Sequence, residues 1–169
     1  VRGDGLAVRD LHRCFAMTSL ARLAGWIVVS FMPAAIGVPF TAPQWYRSLR
    51  RPSWAPPAWL FGPVWSVLYL LMAIAAWRTD AAPRSSRGAL TLFGIQLALN
   101  AAWTPIFFGL RRIDLALVEI VATWFAILAT VVAFARVRLI AGLMLLPYLG
   151  WVGFATALNW SIWRANPRR

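Results

Sequence analysis

The sequence predicts an all-α fold: an integral membrane bundle of five transmembrane helices with a structured first loop. Three observations lead there. Of 169 residues, 61% are hydrophobic and 13% charged, with a mean hydropathy of +0.67, whereas soluble domains run about 45–50% apolar and about 25% charged. Five stretches are nearly free of charge and close to the roughly 20 residues that cross about 30 Å of hydrocarbon at 1.5 Å per residue. The 17 bases, every one of them Arg, gather between those stretches and at the chain ends.

The elements follow in order. Residues 1–22 form an arm expected to be poorly ordered or interfacial. Asp10, His12, Arg13 and Arg22 interrupt its apolar content, so a cleaved leader is not expected. The first span, 23–40, lies between Arg22 and Thr41-Ala42-Pro43. A polar, aromatic loop with Gln44, Arg47, Arg50 and Arg51 leads to the second span, 58–77. Arg78 to Arg87, with Pro83 and a Ser pair, precede the third span, 89–110, which Arg111-Arg112 closes. The fourth, 114–135, begins at Asp114 and is apolar except for Glu119. Arg136 and Arg138 mark a turn before the fifth, 139–163. Backbone groups in lipid must be satisfied within the segment, and these runs lack the alternation of barrel strands, so helices are expected. No internal repeat or low-complexity tract divides the chain, and residues 23–166 read as one domain. Pro33, Pro39, Pro63, Pro105 and Pro147 fall within or at the edges of the spans, as kinks, helix ends or cavity borders. Orientation does not resolve, because nine Arg fall on one side and eight on the other.

Several functions are excluded by small counts. One cysteine, Cys14, and one histidine, His12, build neither a disulfide framework nor a multi-Cys zinc site, so no metal is expected. Both are read as lying near a membrane surface. Gly3-Asp4-Gly5 neither follows a strand nor opens a helix, so it is no nucleotide loop. The net charge of +12 is spread in small clusters over both membrane sides rather than along one stripe, which argues against nucleic acid.

The first loop, Trp45 to Trp59, is the densest feature. Its interleaved Trp, Tyr, Arg and Pro suit either an interfacial aromatic belt or a lid over a bundle cavity, where rings stack on a flat ligand and guanidinium meets carboxylate. In the third span Gln96, Asn100 and Trp103 share a face. In the fifth, Tyr148, Trp151, Ala155 and Asn159 do so, and Trp65 and Tyr69 are neighbours in the second. A carboxamide in hydrocarbon must be paired, so Asn100 should face the interior, as helix–helix glue or as a ligand contact. Aromatic stripes also serve plain core packing. If they converge under the loop they form an apolar pocket with a few polar groups. Glu119 reads either as an intramembrane functional acid or as a shallow one paired with Arg111, Arg112 or water. Gly94, Ala98 and Ala102 make a small-residue stripe, for intrabundle packing or a homodimer face on the third span. Eight of the 11 Trp divide accordingly. Trp45, Trp54, Trp59, Trp77 and Trp163 sit near span ends, while Trp65, Trp103 and Trp151 sit inside spans.

Spaced blocks then carry a resemblance. They are Trp45-Tyr46, Leu49, Pro52-Ser53-Trp54, Pro56-Pro57, Phe61, Trp65 and Leu68-Tyr69; Gln96-Leu97, Leu99-Asn100 and Trp103 through Gly109; Ala116 through Glu119; and Pro147-Tyr148-Leu149, Trp151, Phe154-Ala155 and Leu158-Asn159. Together, over about residues 23–166, they resemble the tryptophan-rich sensory protein and translocator protein family (TspO/MBR, the peripheral benzodiazepine receptor type). The resemblance implies a five-helix bundle, often a homodimer, that binds tetrapyrroles such as protoporphyrin IX, or a related one such as heme, with no obligatory cofactor. It also implies a role in porphyrin handling or stress regulation, or else porphyrin transport or light- and oxygen-dependent porphyrin breakdown. It matches Tyr46 to a first-loop ligand contact, and Trp65 and Trp151 to a porphyrin-facing pair tied to breakdown. Asn100 and Ala155 match pocket residues, and Gly94 and Ala98 the dimer face. The expected ligand set is Tyr46, Trp54, Trp65, Tyr69, Gln96, Asn100, Trp103, Phe107, Tyr148, Trp151, Ala155 and Asn159. Animal members also bind cholesterol through a motif with a central Tyr. Here Trp160 stands at that place between Leu158 and Arg164, and the weak motif is incomplete. Expected partners are the lipid bilayer, a tetrapyrrole and a second copy of the chain, in a bacterial cell membrane or outer membrane.

Overall fold

Prolines set most of the helix boundaries. The computed structural model describes residues 4–82 and 86–167, with the backbone alone for residues 4–18 and Pro43. Helix α1 spans Asp4–Gly37 with Pro33 inside it. Pro39 lies in the tight turn Val38–Phe40 that follows, and Pro43 opens the short α2, Pro43–Ser48. Pro57 is extended ahead of the turn Ala58–Leu60, and Pro63 falls in the first turn of α3, Phe61–Asp80, where its missing N–H costs nothing. Pro105 ends α4, Ser86–Thr104, by starting a π-helical turn over Pro105–Gly109, closed by the Leu110 N–H donating to Pro105 O at 2.9 Å. Helix α5 covers Ile113–Val137 and α6 Leu139–Leu143. Pro147 stands in the first turn of α7, Leu146–Ala165. Of the five prolines assigned to the spans, Pro33 is thus the one inside an α-helix beyond its first turn, near the end of α1 at Gly37.

Five segments are long and apolar enough to cross a membrane: Ser19–Phe40, Ala58–Asp80, Ser86–Gly109, Ile113–Val137 and Leu139–Ala165. Each lies within a few residues of the expected span, because helices continue past the hydrocarbon into interfacial residues such as Arg78 and Asp80. The arm expected to be poorly ordered or interfacial has a helical backbone from Asp4, continuous with α1. The readings of His12 and Cys14 fall outside the described side chains, and residues 83–85 of the second loop outside the described residues.

In the bundle, α1 packs on α3 and α4, α4 on α5, and α5 on α7. Without a hydrophobic drive between helices in lipid, close approach of small residues supplies much of the cohesion. Ala73, Ala75 and Ala76 accordingly have no exposed surface. At the α5–α6 corner a Cβ on Gly142 would stand 2.6 Å from Ala135 Cβ, so the turn closes because no side chain is there. An ion pair fastens α1 to α3: the Arg22 guanidinium donates to Asp80 Oδ2 at 2.6 Å and to the Asp80 carbonyl at 3.1 Å, and Trp26 Nε1 donates to the same carboxylate. Helices α3 and α7 meet chiefly through rings instead. Trp65 lies 6.0 Å from Tyr148 and Phe61 5.8 Å from Trp151 between centroids. That wide seam leaves room for a cavity.

Candidate functional site: an aromatic cavity under the first loop

A cavity of about 500 Å³ opens among α1, α3, α4, α5 and α7, within the range of small-molecule sites. Nine of the expected ligand residues line it: Tyr46, Trp65, Tyr69, Asn100, Trp103, Phe107, Trp151, Ala155 and Asn159. Faces of α3, α4 and α7 that helical spacing marks out therefore meet at one volume.

Gln96, Tyr148 and Trp54 do not line it. Gln96 and Tyr148 sit one layer behind. Tyr69 Oη donates to Asn100 Oδ1 at 3.0 Å, Asn100 Nδ2 donates to Tyr148 Oη at 3.0 Å, and Tyr148 Oη donates to Gln96 Oε1 at 2.9 Å. The carboxamides foreseen on one face of α4 thus split, with Asn100 at the wall and Gln96 anchoring the tyrosine that orients it. Trp54 is 48% exposed and packs edge-on against Phe154, which in turn packs on Trp151.

The first loop is folded down onto the bundle. Leu49 is buried with Phe107, Ile113, Leu158 and Ile162. Trp45 meets Phe107 edge-on at 5.4 Å, Tyr46 meets Phe108 at 5.9 Å, and the Arg51 guanidinium lies 5.1 Å from the Tyr46 ring centre. Arg50 is held at both backbone atoms by Asn166, just past α7. Both readings of the loop find a place. Trp45, Tyr46 and Leu49 cover the cavity end, while Trp54 and the 72%-exposed Trp59 face outward as a belt does.

Two parts of the wall lie outside the expected ligand set. Pro33, Ala34 and Gly37 give α1 a share of the cavity. Their signal was a run of small residues around an interior proline. The second part is Glu119, which the sequence leaves between an intramembrane functional acid and a shallow one paired with Arg111, Arg112 or water; among the described residues it is paired with neither Arg. Arg112 pairs with Asp114 at 2.7 Å. Glu119 faces the other way, lining the cavity beside Thr123, whose hydroxyl donates to Glu119 Oε1 at 2.6 Å. Among the described residues, Glu119 Oε2, both amide atoms of Asn159, and the indole N–H groups of Trp103 and Trp151 are buried without a hydrogen-bond partner.

Gly94 and Ala98 lie exposed on α4, Ala102 is half-buried, and a Cβ on Gly94 would meet no atom within 4 Å. The small-residue stripe points away from the bundle rather than serving its packing at Gly94. No group of His, Cys, Asp and Glu that could hold a metal occurs among the described residues.

Comparison with known proteins agrees with this architecture. A model of the TspO/MBR family matches residues 17–164. Protein CrtK of Rhodobacter capsulatus is 43% identical over 152 residues, 88% of this chain and 95% of the relative. The tryptophan-rich sensory protein of Cereibacter sphaeroides is 40% identical over 81% of this chain and 86% of its own length. The human translocator protein is 42% identical over 73% and 75%. With the family's model spanning nearly all five helices, and relatives similar along most of their own lengths, the chain is a multi-pass membrane protein that belongs to the TspO/MBR family.

Proposed function

We propose that this protein binds a tetrapyrrole of the protoporphyrin IX class in the cavity under the first loop, and serves porphyrin handling or stress regulation. One observation carries the reading: Trp65 and Trp151, from helices that meet mainly through rings, line the same volume beneath a loop bearing Tyr46 and Arg51. Flat aromatic walls suit a macrocycle, and a guanidinium over the ring of the wall residue Tyr46 suits its propionates. We infer a homodimer through α4, supported by the outward Gly94 and Ala98.

The test is a protoporphyrin IX titration in lipid nanodiscs, followed at the porphyrin absorption band. Replacing both Trp65→Phe and Trp151→Phe is expected to weaken binding roughly tenfold, as loss of ring overlap at two walls does. Unchanged affinity would remove those two residues as the main contacts. The same pair of tryptophans favours a second reading, in which light and dioxygen drive oxidation of the bound porphyrin. Illumination in air with no spectral change over many protein equivalents excludes it.

A further inference from the structure

The cavity has a chemistry that the tetrapyrrole reading does not use. Glu119 is the acid on its wall, and no Arg is among its lining residues, although the chain carries a net charge of +12. Glu119 is 9% exposed and Asn159 2%. Each lies six residues from the end of its helix nearest the first loop, α5 at Ile113 and α7 at Ala165, hence about 9 Å in from that end. Thr123 occupies one carboxyl oxygen of Glu119, and the other has no partner among the described residues. The same holds for the whole Asn159 amide. A carboxyl group at this depth, with no cation paired to it among the described residues, is costly. The surrounding wall is aromatic: Trp65, Tyr69, Trp103, Phe107 and Trp151. Aromatic side chains around one acid are the elements of an ammonium site. The torsion at a carboxylate is broad, so the free oxygen can turn to the cavity its residue already lines.

We propose that Glu119 and Asn159 form a subsite for the ammonium group of an amphipathic amine, whose apolar body lies between the tryptophans. An ammonium has N–H donors for Glu119 Oε2 and Asn159 Oδ1, and its charge is balanced by the carboxylate and the ring faces. A carboxylate-bearing ligand can take the N–H groups of Trp103, Trp151 and Asn159 that have no partner among the described residues, but beside Glu119 it sets like charge against like, which an ammonium does not. Its anionic end belongs on the loop side, near Arg51 over the Tyr46 ring.

The experiment compares three probes that share one ring system: 1-pyrenemethylamine, 1-pyrenemethanol and 1-pyrenecarboxylate. Each is titrated into full-length protein in phosphatidylcholine nanodiscs. Energy transfer from Trp to pyrene is read, with empty nanodiscs subtracted. The amine is expected to bind roughly tenfold more tightly than the alcohol, the scale of a desolvated cation–π contact joined to a charged hydrogen bond. Glu119→Gln is expected to abolish the preference. Asn159→Leu, which leaves the carboxyl in place, is expected to lower it about threefold. Equal binding of amine and alcohol by the unaltered protein overturns the proposal whatever the variants do, and so does a preference that survives both substitutions. Protoporphyrin IX titrated into the same discs keeps the two readings apart. Its failure to bind sinks the tetrapyrrole reading and leaves the amine series to decide this one.

Discussion

Asn166 holds the backbone of Arg50 by both of its polar atoms: the Arg50 N–H donates to Asn166 Oδ1 at 3.2 Å, and Asn166 Nδ2 donates to Arg50 O at 3.0 Å. The amide thus acts as a length of strand would, joining the covering loop to the end of α7 across 116 positions of sequence. It also donates to Ile162 O at 2.8 Å, so the clamp is fixed to its own helix. Asn166→Ala removes all three bonds, at about 1 kcal/mol net apiece. The expected result is faster amide exchange at Arg50 with the bundle helices unchanged, measured by hydrogen–deuterium exchange in nanodiscs.

Tyr148 and Tyr69 both reach Asn100, yet their hydroxyls differ in exposure to the cavity. Tyr148→Phe leaves Gln96 Oε1 and an Asn100 N–H unpaired behind the wall, a loss of about 1–3 kcal/mol. Tyr69→Phe frees only Asn100 Oδ1, on a residue that lines the cavity, and costs less. Thermal unfolding in detergent should rank the first variant below the second. The reverse order would mean the layer behind the wall is not what orients Asn100.

Ala155 is a small residue on the same helix face as the wall residue Trp151. Ala155→Leu fills cavity space without removing a hydrogen bond, so protoporphyrin IX binding should fall at least about tenfold while the melting temperature holds or rises. An absorption titration beside a melting curve on the same sample checks both halves.

The outward face of α4 has room at Gly94. Gly94→Leu introduces a side chain into open space within one copy, so the fold should be kept while close helix–helix approach between copies is blocked. Light scattering of the detergent-purified protein should show a shift from dimer toward monomer. At Gly142 the opposite holds, since Ala135 already fills the place of a Cβ. Gly142→Ala should cost about 1–3 kcal/mol, read as a lower melting temperature with no change in oligomeric state.

The fold was legible because lipid leaves few choices. Charge-poor runs of spanning length are helices, and Arg marks where they leave the hydrocarbon. The site was legible to the extent that helical spacing decides a face, which placed Trp65, Asn100, Trp151 and Asn159 on one cavity. Spacing does not tell depth. Gln96 and Asn100 share a face, yet only Asn100 reaches the surface of the cavity, and Tyr148 stands behind Trp65 rather than beside it. Nor does it tell rotation about a helix axis for a single residue. Glu119 stands about 1.4 turns past Asp114, on a different face of α5, and the packing of α5 in the bundle decides that this face meets the cavity. The share of α1 was missed because Pro33, Ala34 and Gly37 carry no polar or aromatic group for a pattern to find.

The two sides of the cavity differ in how much order a guest must impose. Around Asn100, both amide atoms are already committed to tyrosines. A ring settling there meets a surface whose rotamers were chosen when the chain folded, and little further freedom is lost on contact. Glu119 is tethered at one oxygen and Asn159 at none. Contact there must first select one orientation from several. Rigid guests that match the first side should therefore bind with a small entropic penalty. Guests that engage the second should show a larger favourable enthalpy set against a larger loss of entropy, a contrast that calorimetry can resolve even where the affinities coincide.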